Sequence, residues 1–263
     1  MIPQNTWKAY PLPDDTPQRF RFGDLLLWVK TAHDEIWLDY RYLPQGQAID
    51  PSYSEPTDED YSWQRWTIPG KQKELQLGPI FPDLPILVTP EFPFRMVPGV
   101  TTTIYVRVPV WVELLIGDSR VTAIPSVVLS KTWFGHFLEG ELCYWISSGA
   151  RKAINPDPER PYMAICPIQI RNTADIELQV EKICLRVEQL DLYSHENQLY
   201  GNETRMIYKG VSTTSEVQVS RGAPKAAPKA KQITPARLPQ SRSMTARTFS
   251  TLKEIPGFGL FNR

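Results

Sequence analysis

Cysteine is scarce in this chain: Cys143, Cys166 and Cys184 are the three in 263 residues. An odd, sparse set without a Cys-x-x-Cys pair argues against a disulfide framework and against a thiolate zinc site. All three sit among apolar neighbours, so they are expected as small buried core residues in a reducing compartment. Long apolar runs are missing as well. No stretch approaches the roughly 18 residues that a membrane-crossing helix needs. The segment Met1–Trp7 lacks a basic start and an apolar stretch, so no secretory signal is expected. Net charge is absent, since 29 Lys and Arg balance 29 Asp and Glu, and composition alone gives no pull toward nucleic acid or membrane. Phosphate-binding glycine loops, His-Glu-x-x-His and Gly-x-Ser-x-Gly do not occur. The histidines His33, His136 and His195 share no ligand spacing. No cofactor, metal or catalytic residue is expected.

What the chain has instead is proline, at 25, and aromatic residues, with 8 Trp and 11 Tyr. Both suit short strands joined by irregular loops better than long helices. Residues 19–43 read as a hairpin. Its second arm alternates with period two, Ile36, Leu38, Tyr40 and Tyr42 on one face and Trp37, Asp39 and Arg41 on the other. Residues 44–62 hold Asp50, Glu55, Asp58, Glu59 and Asp60 with no base and read as an exposed acidic loop. Pro79, Pro82, Pro85, Pro90, Pro93 and Pro98 then cut the chain into short extended pieces. The clearest strand follows, with Thr102, Ile104, Val106, Val108, Val110, Val112 and Leu114 on one face. Tyr105, Arg107, Pro109 and Trp111 lie on the other. Such a strand exceeds the usual length of about 5–6 residues, so Pro109 is expected to mark a bend where it passes between sheets. Further strands are expected over 162–171, 176–193 and 199–208. Strand following strand without amphipathic helices argues for antiparallel sheets packed face to face.

The fold expected is therefore mostly β. Two antiparallel β-sandwich-like, immunoglobulin-like units span 1–118 and 119–215, and a basic tail spans 216–263. The boundary is the weak point of this division, because the long strand can serve both sheets. Arg221–Lys231 reads RGAPKAAPKAK, low-complexity and linker-like. Between 221 and 253 the bases Arg221, Lys225, Lys229, Lys231, Arg237, Arg242, Arg247 and Lys253 meet no acid. Three readings of the tail stand side by side. It is a solvated flexible segment, or a partner-docking one with Arg237, Arg242 and Arg247 as tether and Phe249, Leu252, Phe258 and Phe261 as anchors. In the third it is a contact for anionic lipid headgroups. An acidic loop in front and a basic tail behind also permit self-neutralisation, within one molecule or in a homo-oligomer. Nucleic acid is not favoured, because no folded recognition motif accompanies the charge. Trp63, Trp66, Trp111, Trp133 and Trp145 suit core packing or stacking on sugars and bases. Tyr105 and Trp111, facing away from the valine stripe, are candidates for a partner-binding strand face. The pairs Glu139 with Glu141 and Glu177 with Glu181 are read as exposed strand charges.

Several strings carry a resemblance. They are Phe20-Arg-Phe-Gly-Asp-Leu25, Leu84-Pro-Ile-Leu-Val-Thr-Pro-Glu91 and Val106-Arg-Val-Pro-Val-Trp111. To these add Gly140-Glu-Leu-Cys-Tyr144, Cys166-Pro-Ile-Gln-Ile-Arg-Asn172 and Cys184-Leu-Arg-Val-Glu-Gln-Leu190. Together they resemble the prokaryotic family of unknown function DUF432, from the first hairpin into the tail. The resemblance assigns no catalytic residue. It implies proximity to small-conductance-type mechanosensitive channels, beside whose genes those of the family stand. The function expected is a non-enzymatic binding or accessory protein, cytoplasmic and peripheral at the inner membrane face. The rival expectation is a carbohydrate-binding module or hydrolase using an aromatic cleft.

Overall fold

The structure is a computed structural model. It describes residues 7–12, 15–32, 34–44, 61–68, 74–135, 138, 140–146, 150–154, 157, 159–210, 214–239 and 243–250. The fold is mostly β, in several largely antiparallel sheets. Among the described residues the single helical element is the 3-10 turn Val187–Gln189. No helix there is long and apolar enough to cross a membrane.

The chain divides into two compact units, neither of them a continuous segment. Unit 1 comprises Met1–Ile80, Pro109–Val128 and Glu159–Tyr162, and unit 2 comprises Phe81–Val108, Leu129–Pro158 and Met163–Arg263. A cut at 118, as the sequence suggests, falls between the paired strands Trp111–Ile116 and Ser119–Pro125 of one sheet. The reason is the long strand itself. It ends at Pro109, and the chain resumes as Trp111–Ile116 in a different sheet. The pairing groups of Val110 are still satisfied. Its N–H donates to the Tyr162 carbonyl at 2.9 Å, and its carbonyl accepts from the Ser126 N–H at 3.3 Å and Ser126 Oγ at 2.5 Å. Proline brings no donor of its own, so the sheet ladder can stop there without an orphaned N–H.

Unit 1 is a two-sheet sandwich. One sheet runs in the order Gln18–Phe22, Leu25–Ala32, Glu35–Tyr42, Gln64–Thr67. The other runs Ala9–Pro11, Glu74–Ile80, Trp111–Ile116, Ser119–Pro125. Period-two alternation turns Phe20, Phe22, Leu25, Leu27, Val29, Ile36 and Leu38 inward from the first sheet. Leu75, Leu77, Val112, Leu114, Ile116 and Ile124 meet them from the second, and Tyr40 and Tyr42 pack against that core. Each such side chain removed from water contributes about 1.5–3 kcal/mol. The first hairpin turns at Gly23, whose φ of +62° and 2.8 Å approach to the Tyr162 ring exclude a side chain.

In unit 2 one sheet runs Ser130–Phe134, Glu141–Ile146, Ile86–Val88, Lys182–Leu185, Phe249–Ser250. A larger sheet is built around Met163–Asn172. Beside that strand lie Gln198–Gly201 and then Thr204–Tyr208, both parallel to it, while Thr101–Pro109 also pairs with it. Glu141–Ile146 and Ile86–Val88 form another parallel pair. These pairs depart from the all-antiparallel expectation. Strands of other pairings, rather than helices, fill the connections between the parallel partners: Leu178–Val180, Lys182–Leu185 and Leu192–His195 lie between Met163–Asn172 and Gln198–Gly201.

Between Ile165↔Tyr200 and Ile168↔Thr204 the register slips by one residue. Asn202 occupies the slip and is buried. Its Oδ1 accepts from the Asp191 N–H at 2.6 Å, and its Nδ2 donates to the carbonyls of Ser220 at 3.0 Å and Gly222 at 3.2 Å. Asp191 Oδ1 in turn accepts from the Ala236 N–H at 2.9 Å. The described parts of the C-terminal segment up to residue 250, for which a solvated flexible tail is one of the three readings from sequence, are thereby tied down. Thr214–Val219 pairs with Thr204–Tyr208 and with Ser243–Arg247, Lys231–Thr234 pairs with Leu192–His195, and Phe249–Ser250 pairs with Lys182–Ile183. Even the low-complexity stretch is packed, with Ala227 buried against Ile165, Tyr193 and Tyr200.

Two outcomes follow from this anchoring. Truncation after Ser220 lowers the urea midpoint sharply, whereas loss of a free tail leaves it unchanged. Asn202→Ala, which removes the side-chain partner of the Asp191 N–H and of the Ser220 and Gly222 carbonyls, costs about 1–3 kcal/mol in the same measurement.

Candidate functional site

Unit 1 carries an aromatic and cationic ladder. Antiparallel register sets Lys30 opposite Trp37 and Trp28 opposite Asp39, which puts their side chains on one sheet face. Tyr61 and Trp63, just ahead of the strand Gln64–Thr67, lie over that face. The Tyr61 and Trp63 rings stack at 4.4 Å, Trp28 meets Tyr61 edge-on at 5.9 Å, and Trp37 meets Trp63 edge-on at 6.3 Å. Lys30 sits 5.0 Å from both Trp37 and Trp63, Arg65 lies 4.5 Å over Trp37, and Arg41 lies 5.5 Å over Trp28. Glu35 accepts from Arg65 at 2.6 Å and from the Trp37 indole at 3.0 Å, and Asp39 pairs with Arg41 at 3.4 Å. Cation–ring contacts of this kind are worth about 0.5–1 kcal/mol each at exposed sites. Cations of the same unit lie over these rings, so the ladder clamps residues 61–67 to the hairpin. Trp66 packs instead against the sandwich core.

Unit 2 holds a buried polar cluster that sequence patterning does not reveal. Arg186 Nη1 and Nη2 donate to the two carboxylate oxygens of Glu141 at 2.7 and 2.6 Å. Two residues on, Glu188 is 4% exposed, and its Oε2 has no hydrogen-bond partner among the described residues. Burial raises the Glu188 carboxyl to about 7, against the opposing pull of a backbone hydrogen bond and of Arg186, with Glu141 adding to the rise. The Glu188 carbonyl accepts the Leu238 N–H at 2.9 Å, and Arg237 Nε donates to the Phe81 carbonyl at 2.5 Å. Tyr144 donates to Asp83 at 3.0 Å, and burial with that bond pushes its hydroxyl up to about 12.

Next to Glu141 and Arg186, the thiols of Cys143 and Cys184 approach to 3.9 Å. Their mutual contact, then burial, raise the Cys184 thiol well above its ordinary value, and burial does the same to Cys166. All three cysteines are buried, as their neighbours in sequence suggest. Cys143 and Cys184 are not placed to form a disulfide. The strand Ile86–Val88 lies between their two strands, so their backbones are about 9–10 Å apart at the usual inter-strand spacing. A disulfide tolerates about 7 Å.

The third feature of unit 2 is an apolar hairpin. Ser130–Phe134 is an edge strand, and Trp133 lies directly opposite Leu142 on the same face. Trp133 is 51% exposed, Leu142 41%, and Leu138 in the connecting loop 82%. Two large exposed apolar side chains opposed at a sheet edge, with a third exposed in the loop joining their strands, are the kind of feature found where another molecule binds.

The residues singled out from sequence are dispersed. Tyr105 is half-buried against the Ile165, Tyr193, Tyr200 and Ala227 cluster in unit 2, and Trp111 is half-buried in unit 1 opposite Ile80 and Pro125. They fall in different units and form no common strand face within either. Arg237 is bonded to its own fold. Phe249 is 4% exposed, pairs with Ile183 and meets Tyr208 edge-on at 6.2 Å, so it anchors the chain to itself. Arg247 pairs with Thr214 through the backbone, and its side chain lies outside the described residues. Arg242, Leu252, Phe258, Phe261, His33, His136, Glu139 and residues 45–60 of the acidic loop also lie outside them. His195 stands 3.7 Å from Glu196 at a surface turn. Glu177 is paired with Arg95 at 3.2 Å, and Glu181 accepts from Gln179 at 2.5 Å. Neither reads as half of an acid–base pair.

The strings that run through both units, from the Gly23 turn to the Arg186–Glu188 segment, match one family profile across residues 6–253. The protein belongs to the DUF432 family. That family is described as protein of unknown function. No curated protein and no solved structure matches the chain.

Glu188 gives the cluster a pH signature. Its folded carboxyl is held above the ordinary glutamate value, so the folded state keeps a proton that the unfolded chain has released. Stability is therefore full below the ordinary glutamate value and falls as pH rises to about 7, by on the order of 3 kcal/mol. Urea midpoints measured across that range show the slope, and Glu188→Gln flattens it.

Proposed function

We propose that the protein is a non-enzymatic binding or accessory protein that docks on a larger assembly through the edge hairpin of unit 2. The observation that carries this reading is the opposed pair of Trp133 and Leu142, both exposed, with Leu138 exposed in the connecting loop. Interface energy concentrates in a few large side chains that fill a partner's pocket, tryptophan foremost among them. An edge strand adds main-chain donors and acceptors that an extended partner segment can use. The buried cluster beneath supports the same reading. Glu141 lies at the start of the hairpin's second strand, and its two bonds to Arg186 fix that strand against unit 2. A rigid presenting surface loses less side-chain entropy on binding.

The partner that the family resemblance favours is a small-conductance-type mechanosensitive channel. On this reading the protein is a cytoplasmic subunit, peripheral at the inner membrane face. Removing the C-terminal segment is not a clean test, since that segment supplies strands. Point substitution is. Tagged protein is used to capture detergent-solubilised channel, and recovery is compared with that for Trp133→Ser combined with Leu142→Ser. The variant, folded by circular dichroism, is expected to recover at least about tenfold less channel. Equal recovery removes the hairpin from the account, and failure of the unaltered protein to capture any channel removes the channel.

A further inference from the structure

The stretch 221–238 contains Arg221, Lys225, Lys229, Lys231 and Arg237 and no acid. From sequence it looks like a flexible linker, but in the structure it is a rigid strap. Two successive turns, closed by the Ala227 N–H on the Pro224 carbonyl and the Ala230 N–H on the Ala227 carbonyl, press Pro224 and Ala227 inward. Ala223 and Ala230 rest against the Ile165, Tyr193, Tyr200 and Ala227 cluster. The lysines between these anchors are turned out, and Lys225, Lys229 and Lys231 are all exposed. The low-complexity repeat thus has a physical logic: alanine and proline bind the strap down, and lysine is displayed.

The strap then becomes the edge strand Lys231–Thr234, whose pairing shifts register, with Leu192 opposite Thr234 and Tyr193 opposite Gln232. Ile233 is the extra residue of that bulge and is 43% exposed, and Leu238 a few residues on is 60% exposed. Bulges re-aim side chains, and this one directs a large apolar group outward from a basic strand. Three acids lie near the strap. Asp191 accepts the Ala236 N–H at 2.9 Å, Glu203 is buried, bonded to Arg205 at 3.2 Å and 3.9 Å from Lys225, and Glu196 is exposed beside His195. Among the described residues no ion pair engages Lys229 or Lys231.

We propose that the strap 221–238 is a docking strip for an anionic lipid surface. Lysine is a compact point charge suited to phosphate headgroups that present no fixed partner geometry. Exposed apolar side chains on the same segment suit the shallow apolar layer beneath those headgroups. A nucleic-acid backbone would use the lysines but has no use for Ile233 and Leu238. This inference goes beyond the docking hairpin and needs no protein partner, so it stands or falls separately.

The test is co-sedimentation of the intact protein with vesicles of phosphatidylcholine alone, and of phosphatidylcholine mixed with phosphatidylglycerol. Binding is expected on the anionic vesicles only and is expected to weaken as salt rises. Lys229→Ala is expected to weaken it about fivefold, and Lys225→Glu, Lys229→Glu and Lys231→Glu together by about a hundredfold or more. Ile233→Ser with Leu238→Ser is expected to weaken it about tenfold. Absence of sedimentation with either vesicle overturns the proposal, as does a triple variant that sediments like the unaltered protein. Anionic-vesicle binding that ignores the two serine substitutions, and is displaced by an oligonucleotide at matched charge, marks a general polyanion strip and overturns the lipid assignment.

Discussion

The division of this chain depends on where one strand is made to stop. A run of alternating residues from Thr101 to Ile116 has every local reason to continue as a single strand, and only Pro109 interrupts it. Proline ends the ladder because it brings no N–H, but ending a ladder leaves the next residue's polar groups to be accounted for. Val110 meets that requirement through Ser126, in the same unit 1 stretch Pro109–Val128, and through Tyr162. The short stretch Glu159–Tyr162 falls in unit 1, although the segments on either side of it belong to unit 2. The break at Pro109 and the return of the chain at Tyr162 are thus joined by one backbone hydrogen bond.

Much of unit 1 is legible in advance because its signals are local. The alternation of Ile36 and Leu38 with Trp37 and Asp39 sets which face is buried, whereas the turn at Gly23, which splits the first arm of the expected hairpin into the strands Gln18–Phe22 and Leu25–Ala32, is not announced by the pattern. Proline at 109 correctly marks a change of sheet. Unit 2 is less legible, because its decisive contacts are distant in sequence. Parallel pairing of Met163–Asn172 with 198–208 leaves no turn motif between the partners. The slip at Asn202 appears in the sequence as one polar residue after a glycine, indistinguishable from an ordinary turn.

The C-terminal segment shows why composition misleads here. Proline, alanine and lysine in alternation resemble a linker because no residue among them is large. Their contribution comes from the partner surface, where Tyr193 and Tyr200 provide the apolar area and alanine needs only to be small enough to approach it. The anchors Asn202 and Asp191 are polar, so no hydrophobic pattern announces them. Phe249, proposed from sequence as a hook for a partner, is used in the same way, to close the chain onto its own sheet beside Tyr208.

The polar cluster of unit 2 was illegible for a related reason. Glu141 opens a strand, Arg186 and Glu188 sit at the 3-10 turn Val187–Gln189, and only the fold brings Glu141 to the other two. A buried Arg–Glu pair is weak evidence for added stability, since desolvation offsets most of the attraction. Its value is geometric: two parallel bonds fix the start of one strand relative to another. That fixed strand is the one that carries Leu142 opposite Trp133. The neighbouring thiols, too far apart in backbone to be joined, complete a small dry layer with Leu87 and Phe134 beneath the hairpin. Polar and apolar contacts thus cooperate to hold an exposed apolar edge in one position. Such an edge is a liability unless something covers it, because rows of strand donors beside large apolar side chains recruit other chains. Under the proposed docking role, holding this edge in one position presents Trp133 and Leu142 to the molecule that would cover them.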